Sequence, residues 1–241
     1  MTRRRFFAPP SAFNFGKRTV RLTADEARHL REVLRLKPGD EVSVFDGEGR
    51  EFRARVVQAR REFAELELED EIEAARPESP LQLTLAVALL KGEKFDLVVQ
   101  KATELGVVKI VPLITRYADI KLRDESDASK RVARWQRITL EAAKQCGRGF
   151  VPEVSDPKPL SAVLKNPCFL FSERAGQGLK QIETDEITAI VGSEGGWSDE
   201  ELEQARAAGA QIVTLGGRIM RAETAAITVA ALLQHRFGDL K

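Results

Sequence analysis

The 241-residue chain has only two cysteines, two histidines and one tyrosine. Cys146 and Cys168 stand far apart with no CxxC pattern, so a disulfide framework is excluded and a reducing, cytoplasmic setting is expected. His29 and His235 have too few partner residues for a conventional zinc site, and no metal is expected. No apolar run approaches the ~20 residues that span a bilayer, so no membrane is expected as partner. The basic Arg3-Arg4-Arg5 is not followed by an apolar stretch, which argues against a signal peptide. Two nucleotide signatures are also missing. GxxxxGK[ST] does not occur, which excludes a triphosphate-binding P-loop, and no GxGxxG follows a first strand, which disfavours an ordinary Rossmann site.

What the chain does have is charge and apolar runs. Charged residues make up 31% and apolar residues 43%, the composition of a folded, soluble protein of one or two domains. The net charge of +1 hides an asymmetry: residues 1–37 carry ten bases and three acids, residues 38–73 five bases and twelve acids. The basic segment also holds Phe6, Phe7, Phe13 and Phe15. Cations for phosphates and flat rings for bases suit single-stranded RNA, although those rings could equally be core. The candidate RNA contacts here are Arg3, Arg4, Arg5, Arg18, Arg21, Arg28, His29, Arg31 and Arg35.

Residues 1–73 read as a small β-rich domain. Thr23-Ala-Asp-Glu26 is a capping-box pattern that predicts a helix from Ala24 to about Leu36. Val42 and Val44, then Phe52, Ala54 and Val56, then Ala64, Leu66 and Leu68 alternate with polar residues, with a hairpin turn at Asp46-Gly-Glu-Gly49. Short alternating strands predict a small barrel. Residues 73–80, with two prolines, read as a linker. From 81 to 241 the pattern changes. Buried-strand runs at 83–90, 108–114, 168–171, 187–191 and 212–215 alternate with helical stretches at 96–105, 131–146, 198–209 and 224–237. That alternation predicts an α/β domain with a mainly parallel sheet.

Three glycine-bearing loops follow three of those strands: 171–176, 192–198 and 215–224. Ligands of parallel sheets bind beyond the carboxyl ends of the strands, and glycine lets backbone groups come close to them. The residues alone therefore point to one small-molecule site and leave its ligand open.

The motifs in these loops resemble the RsmE family, the small-subunit ribosomal RNA uridine-N3 methyltransferases of the SPOUT superfamily. The family pattern GPEGGF-S is similar to Gly192-Ser-Glu-Gly-Gly-Trp-Ser198, and LGxRILRxETA to Leu215-Gly-Gly-Arg-Ile-Met-Arg-Ala-Glu-Thr-Ala225. KATELGV occurs at 101–107, EAAKQCGR at 141–148, RRFF at 4–7, and HLxxVLRLKPGD matches His29–Asp40. Ser193, Trp197, Gly217 and Met220 depart from the family's proline, phenylalanine, proline and leucine.

The resemblance implies a PUA- or OB-like RNA-binding barrel and a SPOUT domain that holds S-adenosylmethionine in a deep trefoil knot. It implies a homodimer acting on a uridine of 16S RNA, either free or within the 30S particle. The implied cofactor residues are Phe171, Ser172, Gly192, Glu194, Gly195, Gly196, Leu215, Gly216, Ile219, Met220 and Thr224. Arg221 and Arg218 are the candidate cations for the reacting base, Glu194 the candidate proton acceptor, and Arg148 a further RNA contact. Two alternatives stay open: a SPOUT enzyme acting on a ribose 2′-OH or guanine N1, and a non-catalytic RNA-binding assembly factor.

Overall fold

The structure is a computed structural model and describes residues 4–165 and 167–241, so Arg3 lies outside the described residues. The chain forms two compact units. The first comprises residues up to Glu78 together with Ala143–Val151, and the second Ser79–Ala142 with Pro152–Lys241.

In the first unit six strands make one sheet: β1 (Arg5–Phe7), β2 (Phe13–Asn14), β3 (Thr19–Leu22), β4 (Glu41–Phe45), β5 (Glu51–Ala59) and β6 (Ala64–Ile72). Their order is β1-β4-β5-β6-β3-β2, antiparallel except for β1 with β4. The alternating residues seen in the sequence point inward. Val42, Val44, Phe52, Ala54, Val56, Ala64, Leu66 and Leu68 pack with Phe6, Leu22 and Leu30. Each large apolar side chain buried this way contributes about 1.5–3 kcal/mol.

The expected helix begins as α1 (Ala24–Arg28), and Thr23 makes no side-chain cap. Glu26, the expected return partner of that cap, is buried instead and takes the Lys144 ammonium at 2.6 Å. From His29 to Val33 the helix widens to a π-type turn, with Leu34 N–H donating to the His29 carbonyl at 3.0 Å, and the left-handed Arg35 (φ 54°) ends it. Residues 143–151 join this unit through backbone as well. Val151 N–H donates to Gly47 O at 2.9 Å, Gly49 N–H to Gly149 O at 3.2 Å, and Arg76 bridges to Arg148.

The second unit is an α/β layer structure. Its strands are β7 (Gln82–Ala88), β8 (Lys109–Ile114), β9 (Glu153–Val154), β10 (Lys158–Pro159), β11 (Cys168–Phe171), β12 (Glu186–Val191) and β13 (Gln211–Val213). The order is β10-β8-β7-β12-β11-β13, all parallel, with β9 and β10 lying in succession along β8. The helices are α2 (Lys94–Glu104), α3 (Glu125–Cys146), α4 (Asp199–Ala207) and α5 (Ala222–Phe237).

Continuous apolar strands arise because both faces of the sheet are covered. Leu83, Leu85 and Val87 of β7, Ile187 and Ala189 of β12 and Phe169 of β11 face the core made with α2 and α5. Their neighbours Ala86, Ile190 and Leu170 face a second core with Leu202 and Ala205 of α4. Helix α4 opens on the capping box read from the sequence: Ser198 Oγ accepts from Glu201 N–H, and the Glu201 carboxylate accepts from Ser198 N–H. Among the described residues no helix is long and apolar enough to cross a membrane.

Candidate functional site

Phe171 ends β11, and in register it pairs with Val191 on one side and Val213 on the other. Three strands thus stop at one level, and the three glycine loops leave the sheet together. Between them lies a cleft of about 210 Å³. Its walls include the apolar Val191, Val213, Leu215, Ile219, Met220 and Val229, and its floor the chain at Gly192, Gly195 and Gly196.

The loops are tied to one another. Trp197, where the resemblance has phenylalanine, donates its indole N–H to Phe171 O at 2.9 Å. That bond joins the second loop to the end of β11, and a bond of this kind is worth about 1 kcal/mol net. Arg174 of the first loop reaches Trp197 O at 2.8 Å and the Asp199 carboxylate at 2.9 Å. The second loop turns at Ser193–Gly196, with Gly196 N–H on Ser193 O at 3.0 Å and Gly196 left-handed at φ 68°.

Of the residues expected to hold a cofactor, Phe171, Ser172, Gly192, Glu194, Gly195, Gly196, Leu215, Ile219 and Met220 line the cleft. Gly216 and Thr224 do not: both are exposed, Thr224 on the outer side of the first turn of α5. The lining also includes Glu173, Ser193 and Trp197, which the sequence reading did not select. The fit to S-adenosylmethionine rests on this donor set: apolar walls for a flat ring system, backbone groups at a glycine floor, and the carboxylate of Glu173 beside them for a cationic ligand.

The candidate catalytic residues separate by position. Arg218 lines the cleft, while Arg221 stands just before the first residue of α5, makes no side-chain cap and lies outside the lining. Both side chains are exposed, and neither has an ion-pair partner among the described residues. Glu194 is held at 2.5 Å by the ammonium of Lys94, which also faces Glu223 at 3.7 Å. Desolvation pushes the Glu194 carboxyl up, but the Lys94 hydrogen bond and its own backbone N–H together bring it below the ordinary glutamate value. The bond to Glu194 in turn raises Lys94 above the usual lysine range. The Lys94 ammonium thus occupies the carboxylate that the sequence reading offered as proton acceptor. Lys94 opens α2, the helix after β7, and was missed because the sequence reading took only the three later glycine loops, although the loop before α2 holds Gly92. The rule that ligands gather beyond strand ends would have found it.

The basic residues of the first unit divide in the same way. Arg5 is buried on Glu51 at 3.0 Å and stacked 3.8 Å over Phe45, and it donates to Arg148 O at 2.8 Å. Arg148 is buried against Glu78 at 2.6 Å. Both are internal ion pairs, which corrects their assignment as RNA contacts: phosphate cannot reach a guanidinium enclosed in this way. His29 packs edge-on to Phe6 at 5.9 Å, on the rim of the core. Arg4, Arg18, Arg21, Arg28 and Arg35 are exposed and Arg31 half-buried. Arg18 is partly tied down through Leu68 O and Glu69 O, and Arg31 through Glu32. Of the four phenylalanines, Phe6 is core and Phe15 is 52% exposed. The Phe15 ring stacks on Phe13 at 5.8 Å, with the Arg50 guanidinium 5.0 Å from its centre.

The comparisons with known proteins follow the same division of the chain. An RNA methyltransferase PUA domain family matches residues 22–69, and an RNA methyltransferase domain family matches residues 77–234. The ribosomal RNA small subunit methyltransferase E of Synechocystis sp. is 37% identical over 219 residues, 86% of this chain and 70% of that protein. A methyltransferase structure from Legionella pneumophila, in complex with its bound cofactor SAM, superposes with a TM-score of 0.88 at 31% identity, covering 100% of both chains. A ribosomal RNA small subunit methyltransferase E from Neisseria gonorrhoeae, bound to S-adenosyl methionine, gives 0.86 at 35% identity over 99% of this chain and 100% of that one. A likeness that runs through both units and through the strand-end loops is one of descent as well as of fold, and the chain belongs to the ribosomal RNA small subunit methyltransferase E family.

Proposed function

We propose that this protein transfers a methyl group from S-adenosylmethionine to N3 of one uridine in 16S ribosomal RNA, in the cytoplasm and as a homodimer. The observation that carries the reading is the single cleft made by three strand-end loops, with unpaired guanidinium groups at and beside it. The deep trefoil knot of the superfamily belongs to the same reading.

When bound, the cofactor supplies an electrophilic methyl group on its sulfonium. Phe171, Gly192, Gly195, Gly196, Leu215 and Met220 would hold it. Uracil N3–H is a weakly acidic imide, and its lone pair is delocalised until the proton leaves. Arg218 and Arg221 would set positive charge beside O2 and O4 as these become negative, which eases loss of the N3 proton to solvent water before N3 takes the methyl and S-adenosylhomocysteine leaves. Lys94 keeps Glu194 ionised and occupied, so the anionic base meets no free carboxylate on that loop.

The experiment is transfer of labelled methyl from S-adenosylmethionine to small-subunit RNA and to 30S particles, with light scattering on the same preparation. Labelled RNA and a particle of about twice 26.8 kDa are expected. A scattering mass of one chain under turnover conditions removes the dimer from the reading, and unlabelled RNA in both substrates removes the activity.

RNA affinity should depend on salt, through the exposed arginines of the first unit. On single strands the slope of log K against log salt is about −0.7 per neutralised phosphate. Binding of RNA fragments by fluorescence anisotropy checks this, and a flat salt response contradicts it. Phe15→Ala should weaken the same binding by about 1–3 kcal/mol, the size of one lost base stack, without changing the slope.

A further inference from the structure

Three separate elements bring charge to one point beside the cleft. Lys94 opens α2, Glu194 belongs to the loop after β12, and Glu223 stands in the first turn of α5. The Lys94 ammonium lies 2.5 Å from Glu194 Oε1 and 3.7 Å from Glu223 Oε2. That Glu223 oxygen is buried and makes no hydrogen bond among the described residues, so the nearby ammonium is what balances its charge. Other charges stand around the cluster. Asp119 acts on Glu194 and is itself held by Lys91 at 2.9 Å, and the Arg221 guanidinium acts on Lys94. With one cation between two anions, Lys94, Glu194 and Glu223 together carry a single net negative charge. Without Lys94 they would carry two.

We propose that Lys94 is a positioning residue of the methyl transfer, whose ammonium holds Glu194 and Glu223 in one balanced cluster and so keeps the cleft from binding the cofactor's sulfonium more tightly than the transition state. The inference rests on the S-adenosylmethionine site proposed above. Glu194 lines that cleft, and Glu223 directly follows Ala222, which lines it too. Charge acts through space, so neither carboxylate has to touch a ligand to be felt by it. At a dielectric between those of a protein surface and water, two unit charges about 10 Å apart shift an equilibrium by about three- to tenfold. Methyl transfer removes the sulfonium charge, because the electron pair of the broken methyl–sulfur bond stays on sulfur. A bare carboxylate pair would therefore stabilise the reactant more than the transition state, which tightens binding and slows the step.

The test is titration calorimetry of the full-length protein with S-adenosylmethionine, which carries the sulfonium charge, and with S-adenosylhomocysteine, which lacks the methyl and that charge. Lys94→Met is expected to shift the ratio of the two affinities about three- to tenfold toward S-adenosylmethionine, and to lower the single-turnover rate at saturating cofactor and RNA. Glu194→Gln should shift the ratio the other way by a similar factor, because it frees the ammonium. Lys94→Arg should keep the ratio. Adding Glu194→Gln to Lys94→Met should restore it, since the net charge is then that of the unsubstituted protein. Melting curves without ligand show which variants fold. An equal loss of affinity for both compounds in Lys94→Met would make the residue purely structural and overturn the proposal. An unchanged ratio in Glu194→Gln would also overturn it, and that variant decides if Lys94→Met does not fold. If the unsubstituted protein binds neither compound, the cofactor site itself is wrong, and this role falls with it.

Discussion

Gly195→Val is expected to weaken S-adenosylmethionine binding by up to about 100-fold while the protein stays folded. A Cβ at residue 195 would lie 2.6 Å from the Tyr117 Cβ and 3.1 Å from the Tyr117 carbonyl oxygen. One of those atoms is backbone and the other is fixed to it, so the neighbour cannot swing away and the loop must move. Overpacking of this kind costs up to about 3 kcal/mol, which corresponds to about 100-fold in affinity if the strain is relieved by displacing the cleft floor. The damage should stay local. Strand β12 is held on both sides, by β7 and β11, and the capping box at Ser198 anchors the far end of the loop. Calorimetry with a parallel melting curve checks the result. Unchanged affinity in a folded variant would show that this loop does not form the cofactor floor.

The second large effect is on turnover. Arg221→Ala should lower the single-turnover rate by about 10²–10³-fold with cofactor affinity retained, the usual cost of deleting one donor that stabilises developing negative charge. The substitution leaves the fold alone. The Arg221 side chain caps nothing, and the turn it begins is made by its carbonyl, which accepts Ala225 N–H at 2.8 Å. Arg221→Lys should recover only part of the rate, because an ammonium cannot present two donors in one plane. Arg218 lines the cleft, so Arg218→Ala should weaken cofactor binding as well as the rate. Single-turnover kinetics at saturating RNA and cofactor separate the two. A rate unchanged in Arg221→Ala would move the charge-stabilising role to Arg218.

Much of this was legible in the sequence because it is locally encoded. The five apolar runs became β7, β8, β11, β12 and β13, since a strand covered on both faces has no polar side to disguise it. The capping box at Ser198 formed, because both its partners are three residues apart. The one at Thr23 did not, because Glu26 is claimed by Lys144, 118 residues away. The same distance effect misled the reading of the arginines. Arg5 finds Glu51 46 residues on, and Arg148 finds Glu78 70 residues back, so two apparent surface cations are buried ion pairs. Lys94 and Glu194 are 100 residues apart, and only the sheet order brings the loop after β7 beside the loop after β12. Patterns at short spacing report elements, whereas partners for charge are set by topology.

The central claim is that the cleft directs methyl transfer to N3 of a uridine. The most direct measurement is mass spectrometry of nucleosides from small-subunit RNA incubated with the protein and S-adenosylmethionine, lacking prior modification and analysed as free RNA and as 30S particles. The account predicts N3-methyluridine, at one site and only with protein present. Methyl found on a ribose 2′-oxygen or on guanine N1, or no new methylated nucleoside from either substrate, would contradict it.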